Sequence, residues 1–138
     1  MSSVVGGERD LESVKDQTAS LNYGGTYRDL QIAVFETLST VFSSQWLGLI
    51  LKNKIDTADT EFVVCSDGGR TEDIQPLIRA GHTLCVVQIL RDGCSFALDQ
   101  NVRSYISDNR VQTRTVLNSD LVSFQQQIES IAAEFFAE

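Results

Sequence analysis

A chain of 138 residues, 42% apolar and 22% charged, has the material for one ordinary domain and too little for two. Its net charge of −8 works against nonspecific phosphate binding, which needs clustered cations to release counterions, so nucleic acid is excluded as the expected partner. No stretch reaches the ~18 apolar residues of a membrane span, and residues 1–16 lack the basic start and apolar centre of a secretory signal, so a cytoplasmic protein without a membrane partner is expected.

Residues 1–25 carry Gly6, Gly7, Gly24 and Gly25 among alternating charges, and read as a flexible tail or arm ahead of one domain over 26–138. A short helix over residues 9–18 is the alternative. Thr26 and Asp29 form a T-x-x-D capping box, after which Leu30, Val34, Phe35, Leu38, Val41 and Phe42 recur at helical spacing. Trp46–Leu51 is a short apolar run bounded by Ser43-Ser44 and Lys52-Asn53, which suits a buried strand; continuation of the first helix is the alternative. Glu61–Ser66, with its Phe-Val-Val centre, reads as a second strand. Glu72–Ala80 reads as a short helix stopped by Gly81.

Thr83–Leu90 is nearly all apolar, as in a strand covered on both faces. The Asp92-Gly93 dipeptide then predicts an antiparallel hairpin into Cys94–Leu98, where Cys94, Phe96 and Leu98 alternate with Ser95 and Ala97. Val111–Leu117 is the last strand. Asn118 or Ser119 is expected to cap a final helix whose Leu121, Phe124, Ile128, Ile131 and Phe135 form one stripe. The expected fold is therefore α+β: a single mixed sheet of about five strands with helices packed on it, in the order α-β-β-α-β-β-β-α.

The stretch that invites a site is S-D-G-G-R-T. Ser66, Gly68, Gly69, Arg70 and Thr71 would lie between a strand end and a helix start, where backbone N–H groups can hold an anion. Against this, the spacing matches neither the phosphate-binding loop nor the dinucleotide fingerprint, and Asp67, Glu72 and Asp73 crowd negative charge around the single cation Arg70. A strand-to-helix turn is the better account.

His82, the one histidine, falls about 20 Å from Cys65 if the strands they border run parallel, too far for the pair to share a proton. Cys65, Cys85 and Cys94 sit in strand-like apolar runs and are expected to be buried, reduced thiols. Metal and cofactor sites are not expected: there is no C-x-x-C and no second histidine, and Asp99, Asn101 and Asp108 read as solvated loop residues. Arg103, Arg110 and Arg114 likewise read as surface arginines.

Phe135 and Phe136 cannot both lie on one helical stripe, so one is left for another chain to cover. With Trp46 they are the candidate partner-binding residues. The size, acidity and helix at both ends are similar to those of the small acidic chaperones of type III secretion, a resemblance of shape over roughly the last hundred residues with no shared motif. That resemblance implies a dimer that binds segments of other proteins.

The functional expectation is a non-catalytic protein-binding or assembly module, chaperone- or adaptor-like and homo-oligomeric, whose acidic surface suits a basic or amphipathic protein partner. A structural subunit of a viral or phage particle is one alternative. A small enzyme or anion-binding domain built on the 66–71 loop is the other.

Overall fold

The structure, a computed structural model, describes residues 24–66, 68–97 and 103–137. The expected tail up to residue 23, Asp67 of the glycine loop, the end of the expected hairpin at Leu98, and Asp99 and Asn101 lie outside the described residues. The chain divides between Ser43 and Ser44 into two compact units.

The first unit contains helix α1, Tyr27–Val41. The capping box forms as the sequence predicts. Thr26 Oγ1 accepts from the Asp29 N–H at 3.1 Å, and Asp29 Oδ2 accepts from the Thr26 N–H at 2.8 Å, so two otherwise orphaned backbone donors are satisfied. Those bonds hold the Asp29 carboxyl below its ordinary range, with the backbone bond from Thr26 the largest cause. No residue of α1 is buried.

The second unit runs α2 (Trp46–Thr57), α3 (Thr71–Arg79), β1 (Cys85–Leu90), β2 (Gln112–Leu117) and α4 (Leu121–Phe136). Trp46–Leu51 is thus helix and not strand. The run is rich in Leu, contains one β-branched residue, Ile50, and continues in helical period through Ile55 while Lys52 pairs with Asp56 one turn on. Gly48 is buried where α2 crosses α3: a Cβ there would lie 2.3 Å from the Asp73 carbonyl oxygen and 3.0 Å from Pro76 Cδ. Only glycine permits the two backbones to approach this closely.

Glu72 and Asp73 occupy the first turn of α3, where carboxylates meet the positive helix end. Its far end is a Schellman closure. Gly81 adopts φ +82°, the Gly81 N–H donates to the Ile78 oxygen at 3.0 Å, and the His82 N–H donates to the Leu77 oxygen at 3.2 Å. Ile74, Pro76 and Leu77 are the buried face.

β1 and β2 pair in parallel, from Cys85 opposite Gln112 to Leu90 opposite Leu117. The five-stranded mixed sheet in the order α-β-β-α-β-β-β-α does not occur: among the described residues the order is α-α-α-β-β-α and the sheet has two strands. Glu61–Ser66 forms no strand and all six residues are exposed. Its apolar, β-branched centre has the local preference, but a strand also needs a partner edge, and here Phe62 is held by a ring contact with Phe136 instead.

Among the described residues the hairpin is absent too. The turn after β1 forms, with the Cys94 N–H donating to the Arg91 oxygen at 3.1 Å, but residues 94–97 do not return along β1. The Phe96 ring instead meets Tyr105 edge-on with centroids 5.0 Å apart. The strand that pairs with β1 comes from the far end of the connection.

Asp120, not Asn118 or Ser119, caps α4: its side chain accepts from the Ser123 N–H at 2.8 Å. Phe124, Ile128, Ile131 and Phe135 are the half-buried stripe of this helix, while Leu121 is exposed. Ile74 and Leu77 of α3 and Val116 of β2, the last only 1% exposed, are the buried apolar core among the described residues. No single helix among the described residues is long and apolar enough to cross a membrane.

Candidate functional site

The glycine loop leads into α3, as expected. Arg70 takes the N-cap position in extended conformation without a capping side chain, and Thr71 is the first helical residue. The loop is closed over by the segment before β2. The Ser104 N–H donates to the Gly69 oxygen at 3.1 Å, a Cβ on Gly69 would stand 3.1 Å from Arg103 Cδ, and one on Gly68 would stand 3.3 Å from Ile106 Cδ1. Ser66 and Gly68 are exposed and Gly69, Arg70 and Thr71 half-buried. The small residues thus make room for another stretch of the same chain, which is a packing role.

A polar network ties α3 to that same stretch. Asp108 accepts from the Arg110 backbone N–H at 2.9 Å, from Arg110 Nε at 2.9 Å and NH2 at 2.6 Å, and from Gln75 Nε2 at 3.0 Å. Arg110 NH2 also donates to Gln75 Oε1 at 2.6 Å. The Asp108 side chain is only 9% exposed in a half-buried residue, so the loop aspartate expected to be solvated is an anchor for Arg110 and Gln75. Its carboxyl is held far below the ordinary range, first by the Arg110 side chain, then by the Arg110 backbone and Gln75. Arg110 is exposed, as expected of a surface arginine, with its guanidinium engaged by Asp108 and Gln75.

His82 does not meet Cys65. Its Nε2 lies 3.0 Å from Asp56 Oδ1, and Lys52 pairs with the other oxygen of the same carboxylate, so the histidine joins the turn after α3 to the end of α2. Asp56 is lowered by Lys52 first and His82 second. This is a polar cluster built on the Lys52–Asp56 ion pair.

The cysteines depart from expectation. All three are free, but Cys65 and Cys94 are exposed because the strands that were to cover them do not form. Cys85, in β1, is half-buried and burial pushes its thiol up, partly offset by Arg114. Cys85 is thus the opposite of an activated thiol.

The aromatic residues form the more suggestive group. Phe136 packs against Phe62 with centroids 4.6 Å apart and the rings tilted, and edge-on against Phe135 at 5.3 Å. Phe136 is therefore covered in part by its own chain. Trp46 is half-buried at the start of α2. What the sequence reading missed is the patch beside this cluster: Phe62 is 52% exposed, Val63 43% and Val64 83%. The signal is present, three apolar residues in a row, but by composition it reads as a strand.

Compared with protein families, curated proteins and solved structures, the chain matches none.

Proposed function

We propose that the chain is a non-catalytic protein-binding or assembly module that works as a homo-oligomer. The observation that carries this reading is the Phe62–Val64 run, three consecutive large apolar residues left in contact with water and unpaired by any strand. Contiguous apolar surface of this kind is characteristic of an interaction site. A parallel sheet of two strands supports the same reading, since parallel strands are ordinarily covered on both faces and a pair alone is of marginal stability.

Trp46, Phe135 and Phe136 flank the proposal as secondary contacts, with Phe136 acting through its packing on Phe62. A cytoplasmic location is part of the proposal, supported by three unpaired thiols, two of them exposed. The test is light scattering over a wide concentration range on the wild type and on Val64→Asp. Burying Val64 in an interface is worth about 2 kcal/mol, so the substitution weakens self-association by roughly 30-fold or more while leaving the unfolding midpoint unchanged. A wild type that stays monomeric at every concentration defeats the proposal.

A further inference from the structure

The exposed edge of β2 is the second place where another chain would be expected to pair, and its chemistry is unusual. The Gln112 N–H donates to the Leu84 oxygen at 3.2 Å and the Asn118 N–H to the Leu90 oxygen at 2.7 Å. Even-numbered residues of β2 therefore turn their backbone groups toward β1, and Thr113, Thr115 and Leu117 turn theirs away. Thr113 and Thr115 are exposed.

Leu117 is treated differently. Its N–H donates to Gln127 Oε1 at 3.1 Å and its carbonyl accepts from Gln127 Nε2 at 3.1 Å, so one side-chain amide from α4 makes both bonds that a neighbouring strand would make. The amide is held in place by Ser123, whose carbonyl and hydroxyl oxygens lie 3.2 and 3.3 Å from the same Nε2.

The natural hazard for such an edge is a second copy pairing β2 to β2 about a two-fold axis, antiparallel. Each register meets an obstacle. Those centred on residues 111 to 113 need the Val111 N–H, which already donates to the Asp108 carbonyl at 3.3 Å. The one centred on Arg114 sets two guanidiniums opposite each other at the narrow position, with Cα atoms about 4.5 Å apart, where like charges are destabilising. Those centred on residues 115 to 117 need Leu117, which Gln127 occupies.

We propose that Gln127 is an edge guard: a strand-mimicking side chain that, with Arg114 and the Val111–Asp108 bond, keeps β2 from pairing with β2 of another copy. Removing the amide leaves the 115-centred register free of obstruction, because it places Arg114 opposite Val116 and pairs Thr113 with Leu117. The edge then becomes self-complementary. This is independent of the apolar patch at Phe62–Val64, which lies elsewhere on the chain.

The test uses the full chain with Cys65→Ser and Cys94→Ser, so that an introduced Thr115→Cys reports the two-fold centre under mild oxidation. In a hydrogen-bonded antiparallel pair the Cα atoms stand about 5.5 Å apart, within disulfide reach. Adding Gln127→Ala is expected to raise the rate of disulfide-linked dimer formation about tenfold or more, and to speed exchange of the monomer's Leu117 amide at high dilution by a similar factor with Thr113 unchanged. Alanine is the best helix former, so α4 persists, as far-UV circular dichroism would check. Equal cross-linking with and without Gln127, or a Leu117 amide that exchanges no faster in Gln127→Ala, overturns the proposal.

Discussion

Gly48 carries the tightest steric demand among the glycines described. The methyl group of Gly48→Ala would fall 2.3 Å from the Asp73 carbonyl oxygen, a backbone atom that cannot turn aside, so α2 and α3 must separate. The expected cost is about 1–3 kcal/mol, the usual range for forcing extra volume into a packed contact, read from the midpoint of a denaturant titration. Asp108 makes the complementary, electrostatic case. Its folded-state carboxyl lies below the ordinary value of 3.8, so the stabilisation it gives is complete above the unfolded value and is lost as pH falls through the folded one. Asp108→Asn should lower the melting temperature at neutral pH by a few degrees and flatten its decline on the acid side. Measuring the midpoint of wild type and variant from pH 7 down to about pH 2 checks both the size and the sign.

At the scale of elements, the cap of α4 separates three neighbouring residues that the sequence leaves equivalent. Asn118, Ser119 and Asp120 are all good caps, and only geometry shows that Asp120 accepts from the Ser123 N–H. Asp120→Ala should cost about 1 kcal/mol in chemical denaturation and Ser119→Ala only a few tenths. The same distinction governs what could be read in advance. α1, α3, α4 and the two strands were legible because caps, helical spacing and apolar runs are local signals. Trp46–Leu51 misled because a short apolar run has no period of its own, and the helix was visible only in its continuation through Lys52, Ile55 and Asp56. Glu61–Ser66 and Cys94–Leu98 have the composition of strands, while the fate of Phe62 and Phe96 depends on partners distant in sequence, Phe136 and Tyr105. The candidate site suffers likewise: the glycine loop reads correctly as the lead into α3, but that Arg103 and Ile106 fill the space beside it, and that Asp108 anchors Arg110 and Gln75, are contacts no local pattern encodes.

For the molecule as a whole, the net charge of −8 sets the conditions under which the proposed self-association shows itself. Two copies repel at long range while the Phe62–Val64 contact attracts at short range. Raising the salt concentration from about 10 mM to 150 mM shortens the Debye length from about 30 to 8 Å, so association should tighten with salt, opposite to the trend for binding to a basic partner. Sedimentation velocity at a fixed protein concentration across that range distinguishes the two signs.

The parallel pairing of β1 with β2 also has a kinetic consequence. Every rung of that ladder joins residues 27 apart in sequence, and α2 meets α3 across a comparable span, Gly48 and Asp73 being 25 apart, so both contacts carry a similar cost of loop closure. In the sheet that entropy is compensated only once several rungs exist, so neither pair forms as a purely local nucleus. Refolding should therefore respond to the length of either link, and shortening the 91–111 connection should accelerate folding more than it alters unfolding, as the two rates measured after rapid mixing would check.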